Sequence, residues 1–190
     1  MPAALPAAPK ILKYSLDNQA GLGQYLSMDL TVTKQERSVT HSTFVIERNY
    51  PVPPSRVFAA FSDPVRKRRW FAGEKGMAVE KFEMDFQAGG RELSVYRFPE
   101  GSPFPGMTME NHTTYQDIVP DKRIVIAYTM TIGDRRISAS LATFELLSDG
   151  QGTALIFTEQ SAFFEGSDGP AMREDGWRKL LDNLARELSR

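Results

Sequence analysis

The stretch AMREDGWRKLLDNLARELSR (residues 171–190) decides how the chain is read, because its apolar residues return every three or four positions. Trp177, Leu180, Leu181, Leu184 and Leu188 fall on one stripe, with Arg178, Lys179, Asp182 and Arg186 opposite. A helix of this kind needs an apolar surface to lie on. Just before it, Phe163-Phe164-Glu165-Gly166-Ser167-Asp168-Gly169-Pro170 is aromatic at one end and turn-rich at the other, which reads as a lid or corner loop.

Upstream of that loop the period falls to two. About Val79 to Phe86, the side chains of Phe82, Met84 and Phe86 share one face, while Lys81, Glu83 and Asp85 share the other. Further strands are expected near Arg91 to Phe98, Asn111 to Val119, Arg123 to Ile132, Arg136 to Leu147 and Thr153 to Ser161. Gly89-Gly90, Pro120-Asp121, Gly133-Asp134 and Ser148-Asp149-Gly150 are short turn formers between them, so the strands run as an antiparallel meander.

Ahead of the meander, Thr43 opens a strand in which Phe44, Ile46 and Arg48 alternate with Val45, Glu47 and Asn49 up to Pro51. Pro53-Pro54-Ser55 leads into a short helix with Val57, Phe58 and Phe61 on one face. Asp63-Pro64 ends it and caps a second, which runs to Trp70-Phe71. The order predicts an α+β domain in which about seven antiparallel strands curve around the C-terminal helix. A sheet bent around one helix fills its ends more easily than its middle, and concave apolar spaces are the usual small-molecule sites. Residues 1–41 lack steady periodicity, with Pro2, Pro6, Pro9, Gly21, Gly23 and a polar run from Thr31 to Thr40. They read as a weakly ordered extension, with Met28 as an alternative start of translation, and residues 42–190 as the folded domain.

Composition narrows the classes. With 190 residues, 41% of them apolar, the chain buries one substantial core. Its 24 acidic and 23 basic residues nearly cancel, which removes any overall field that would gather nucleic acid or anionic membrane. The lack of cysteine excludes a disulfide framework, a thiol nucleophile and cysteine-ligated metal, and it suits a cytoplasmic location. Met1 to Pro9 has no leading positive charge of a secretory signal, and no run approaches the ~20 apolar residues that cross a bilayer. The composition is compatible with a homodimer.

Ile46-Glu47-Arg48, Pro51-Val52-Pro53, Val57-Phe58-Ala59-Ala60-Phe61 with Asp63-Pro64, and Trp70-Phe71 form the first half of a recurring set. Asp85-Phe86 with Gly89-Gly90, Tyr115 to Pro120, Arg123-Ile124-Val125, Ser140 to Thr143, Thr158-Glu159-Gln160, and Gly176-Trp177 with Leu181 and Leu184 complete it. In this order and spacing they resemble the START-like (SRPBCC) superfamily, in the branch of heat-shock chaperone ATPase activator homologues and polyketide-cyclase-like domains. The resemblance covers about Thr43 to the C-terminus. It implies the helix-grip fold and a hydrophobic pocket between sheet and helix, but activities on such a fold vary. The function expected is binding of a small hydrophobic or aromatic molecule, lipid or polyketide-like, without turnover. Alternatives are a cyclase or dehydratase acting on such a ligand, and a chaperone-interacting module.

Pocket candidates are Trp70, Met84, Tyr96, Tyr128, Met130, Phe157, Glu159, Phe163, Trp177 and Leu181, for which ordinary core packing is the rival explanation. Glu159 shares a face with Leu155 and Phe157, so a carboxylate is expected inside the domain. An ion pair compensates such a group, and Arg48, on the face of Phe44 and Ile46, is the obvious partner. Otherwise Glu159 is the candidate acid or base, with Tyr128 or Tyr96 as hydrogen-bond donor. His112 and Tyr115 are three apart and face opposite sides in regular pleating. Two histidines, His41 and His112, do not support a metal site, and Glu80, Glu83 and Asp85 read as a solvated strand face. No cofactor is called for. Arg66-Lys67-Arg68-Arg69 reads as the complement of its helix C-terminus rather than as a nucleic-acid contact.

Overall fold

Proline placement shapes the front of the domain. In the computed structural model, which describes residues 38–72, 78–102 and 104–190, strand β1 (Thr40–Tyr50) ends at Pro51. Helices α1 (Pro54–Ser62) and α2 (Pro64–Phe71) each carry proline in the first turn, where its missing N–H is not needed. Asp63 separates them, accepting hydrogen bonds from the Val65 and Arg66 amides at 2.8 and 3.1 Å. Residues 1–37 of the expected extension, Met28 among them, lie outside the described residues; residues 40 and 41 already belong to β1.

Six more strands follow: β2 (Ala78–Met84), β3 (Arg91–Arg97), β4 (Thr108–Val119), β5 (Arg123–Ile132), β6 (Arg135–Asp149) and β7 (Gly152–Phe163). They form one seven-stranded antiparallel sheet in the order β1-β7-β6-β5-β4-β3-β2. Register shifts at Val79/Lys81, Tyr115/Asp117 and Met130/Thr131 supply the bends a wrapped sheet requires. The β2–β3 turn is stitched to β4 by the Gly89 amide donating to the Tyr115 carbonyl and the Tyr115 amide donating to that of Gly90, at 2.7 and 3.0 Å. A Cβ at Gly90 would meet the Asp85 carbonyl oxygen at 2.2 Å, so only glycine fits that crossing.

Helix α3 (Gly169–Leu188) lies on the concave face with Trp177, Leu181, Leu184 and Leu188 buried against Ile46, Phe144, Leu155 and Phe157. Trp177 packs on Phe157 and Phe144 with ring centroids 4.4 and 5.6 Å away. Leu180, the remaining member of the stripe, is only partly buried. No helix among the described residues is long and apolar enough to cross a membrane.

The basic run divides by face. Arg68 and Arg69 occupy the last turn of α2, as its dipole favours, but Lys67 is buried. Arg69 grips Glu187 with two guanidinium nitrogens, Nε at 2.9 Å, tying α2 to α3. That hydrogen bond holds the Glu187 carboxyl below its ordinary range against the opposing effect of burial.

Leu184→Ala should lower stability by about 2–5 kcal/mol in urea titrations, whereas Met172→Ala, at an exposed position, should stay within about 0.5 kcal/mol. Because the folded-state Glu187 releases its proton more readily than the unfolded one, its contribution is complete above the ordinary glutamate value of about 4.3 and drains as pH falls through the lower folded value. The stability gap between the native chain and Glu187→Gln should therefore be widest near neutral pH and close in acid.

Candidate ligand site

The strand register lays a polar row across the concave face: Glu92, Thr113, Tyr128, Ser140 and Ser161 stand directly opposite one another on β3 to β7. All five are buried. A parallel row runs Ser94, Asn111, Met130, Ser138 and Phe163. Buried polar groups need partners, and helices α2 and α3 each supply one cation.

At the β7 side the cation is Arg173, on the same stripe as Trp177 and Leu181 and 5% exposed. Its Nη1 lies 3.3 Å from Glu159 Oε1, and its Nη2 donates to Ser138 Oγ at 2.9 Å. Nε and Nη2 also grip the Asp168 carboxylate, each at 2.8 Å. Asp168 is the N-cap residue of α3 but makes no capping bond with its side chain. Burial opposes the charge on Arg173, yet Tyr128, Asp168 and Glu159 outweigh it and hold the guanidinium above its ordinary value.

Glu159 is fully buried and accepts from Tyr128 Oη at 2.7 Å and from Ser161 Oγ. Burial first, and then the neighbouring Glu159, raise the Tyr128 hydroxyl beyond the ordinary tyrosine range, which keeps it a donor. The same oxygen accepts from Trp177 Nε1 at 3.2 Å and from Arg173. Its bonding capacity is used up within the protein.

The expected Glu159 partner was Arg48. The structure corrects this: Arg48 pairs with Asp182 on α3 at 3.3 Å. Register is the reason, because Phe44 stands opposite Glu159 whereas Arg48 stands opposite Leu155. Reasoning from sequence missed Arg173, although its spacing was a signal: it precedes Trp177 by one helical step of four and so puts a cation on an apolar stripe.

A second nest closes the other flank. Lys67 Nζ pairs with Glu92 Oε2 at 2.8 Å, both side chains being buried, and Tyr115 Oη donates to the same carboxylate. The ammonium also lies 5.1 Å from the Phe71 ring centroid. Burial and then Glu92 raise the Tyr115 hydroxyl above its usual range. On the outer strands, Glu80 pairs with Arg97 and Glu83 with Lys81. Among the described residues no three His, Cys, Asp or Glu side chains are grouped so as to hold a metal ion. His112 is exposed and Tyr115 buried, on opposite faces of β4.

Between the nests, α3 stands off the sheet and leaves a cavity of about 150 Å³. Of the ten pocket candidates, Tyr96, Tyr128, Met130 and Trp177 line it. Glu159 lies behind Tyr128. Trp70, Phe157 and Leu181 are core: Trp70 donates to the Ala60 carbonyl at 2.8 Å, and Phe157 underlies Trp177. Met84 packs at the core margin, and Phe163 lies under Arg173 at 5.1 Å. The wall also includes Phe71, Met109, Asn111, Asp168, Arg173, Gly176 and Leu180, together with the exposed Met172. Those residues were not foreseen, since wall and core demand the same apolar side chains.

A curved antiparallel sheet holding a C-terminal helix over such a cavity is a START-like helix-grip domain. The family described as Activator of Hsp90 ATPase homolog 1-like protein matches residues 51–189, and the chain belongs to that family. Protein Mll3558 from Rhizobium loti is 49% identical, aligned over 80% of this chain and 99% of its own, with a TM-score of 0.70. A Rhizobium leguminosarum protein is 38% identical over 80% and 97% of the two chains, with a TM-score of 0.74. An AHSA1-like protein from Aeromonas hydrophila, at 21% identity over 78% and 92%, shares the fold with a TM-score of 0.56. No curated protein matches the chain.

Removing one member of the buried pair should be costly. Arg173→Met leaves Glu159 and Asp168 without their cation and should cost about 3–5 kcal/mol in urea titrations. Adding Glu159→Gln should restore at least about 1 kcal/mol of that loss. Equal losses in the single and double variants would show that the two charges do not act as a pair.

Proposed function

We propose that this chain binds a small apolar or aromatic molecule, seated between α3 and the concave face of the sheet. The observation that carries the reading is the cavity between Tyr96, Tyr128, Met130 and Trp177. Its volume of about 150 Å³ is comparable to that of apolar protein cavities that take up benzene. One aromatic ring therefore fits inside; a longer lipid or polyketide-like molecule would extend past Met172, which is exposed at the mouth.

Gly176 supports the same reading. Glycine inside a helix costs about 1 kcal/mol relative to alanine, yet it stands mid-α3 on the cavity wall. A Cβ placed there meets nothing within 4 Å. Packing does not demand a glycine at this position; open space does benefit from one. Tyr128 argues for binding without turnover, since its hydroxyl is committed to Glu159, Trp177 and Arg173.

Toluene titrated against the native chain, followed by Trp177 fluorescence or calorimetry, should show saturable binding. Gly176→Leu should fill the cavity and abolish that binding while the fold persists. Unaltered toluene binding by the filled variant would refute this location. A second reading, acid–base turnover of the ligand, draws on the 2.7 Å hydrogen bond that links the cavity wall at Tyr128 to the buried Glu159. Under it, Glu159→Gln would keep toluene bound yet stop consumption of a ligand retained from the host; unchanged behaviour leaves a binder.

A further inference from the structure

Arg173 meets two carboxylates at once. Its Nη1 lies 3.3 Å from Glu159 Oε1, while Nε and Nη2 each stand 2.8 Å from an Asp168 oxygen. Glu159 also accepts from Tyr128 and Ser161, as a carboxylate does. One guanidinium therefore faces two acids, and the cluster brings a surplus of negative charge to the cavity wall. The positive N-terminal end of α3 offsets about half an elementary charge of it, so the sign survives. In the other nest the charges balance, one lysine against one glutamate.

The members of the cluster differ in what they can still offer. Every N–H of Arg173 is aimed at a protein acceptor: Nε at Asp168, Nη1 at Glu159, Tyr128 and Ser140, and Nη2 at Asp168 and Ser138. Its side chain is 5% exposed, so an incoming anion would find no free donor and a like charge beside it. Glu159 is sealed behind Tyr128. Asp168 is the reachable member: it lines the cavity, and its side chain is 18% exposed. Each of its oxygens takes one hydrogen bond from Arg173, which leaves lone pairs for a further donor. The side chain makes no capping bond to the amides of α3. Arg135, at the start of β6, reaches the Gly166 carbonyl instead.

We infer that the molecule held in the cavity is a cation: a protonated amine on a small apolar or aromatic body, with its ammonium donating to Asp168. This rests on the binding reading above and names the class of ligand. Phe71, Tyr96 and Trp177 in the same wall suit such a guest, because aromatic faces attract cations.

Benzylammonium, benzyl alcohol and benzoate test this at neutral pH, since they set a positive charge, none and a negative one on the same ring. In calorimetric titrations the native chain should bind benzylammonium at least about tenfold more tightly than benzyl alcohol, with benzoate the weakest. Asp168→Asn keeps an acceptor for Arg173 but removes the surplus charge, and should erase the gap between benzylammonium and benzyl alcohol. A merely structural role would weaken both ligands alike and leave the gap standing. Glu159→Gln removes the same surplus from behind the wall and should narrow the gap too, which provides a second variant if Asp168→Asn does not fold. Benzylammonium binding no tighter than benzyl alcohol by the native chain, or an undiminished gap in a folded variant, would overturn the assignment while leaving the cavity a binding site. Failure of all three, and of toluene, to bind would overturn the cavity reading as well.

Discussion

A guanidinium on the apolar stripe of a helix is the constraint around which the site is built. Moving an isolated charge out of water costs far more than the whole stability of a domain, so Arg173 can be inside only where several elements bring it acceptors at once. Glu159 comes from β7, Ser138 and Ser140 from β6, Tyr128 from β5, and Asp168 from the loop that starts α3. Those contacts span three strands and fix the height of the helix above them. Leucine at that position would let α3 settle against the sheet; the guanidinium with its five partners holds the first turns away. Arg173, Asp168 and Tyr128 are themselves part of the cavity wall.

The other nest has a matching consequence. Lys67, Glu92 and Tyr115 join α2 to β3 and β4, and the ammonium stands beside Phe71, itself part of the cavity wall. Two buried ion pairs therefore bracket one apolar space, with a polar row on the sheet between them. Buried pairs contribute little net stability compared with hydrophobic replacements of the same shape. What they impose is geometry, since each bond direction restricts where the helices can sit. An all-apolar interior would collapse toward close packing more freely.

Much of this fold is visible in the chain itself. Period-two alternation and turn chemistry place β2 to β7 within a few residues, and the prolines with Asp63 place α1 and α2. The long helix declares itself through its leucines. What the sequence hides is register, because it depends on how strands distant in the chain slide against each other. Arg48 has the right face and the wrong neighbour for that reason. Lys67 looked like one more member of a basic run, although the helix turns it inward while Arg69 faces Glu187. Ring-bearing wall residues such as Phe71 carry no mark that separates them from Phe157 beneath Trp177, since hydrophobic burial has no direction.

Gly176 and Asn111 break local rules at the same place. Each could be exchanged for a residue that folds better: alanine would strengthen the helix, and leucine would remove an unmatched acceptor. Elsewhere the interior follows those rules closely, with cations paired, tyrosine hydroxyls bonded and leucines packed. Departures scattered over the surface would be unremarkable. These two line one cavity from opposite sides, one on the helix and one on the sheet. A chain under pressure only to fold has no reason to keep such a coincidence, whereas one that must admit a molecule there does.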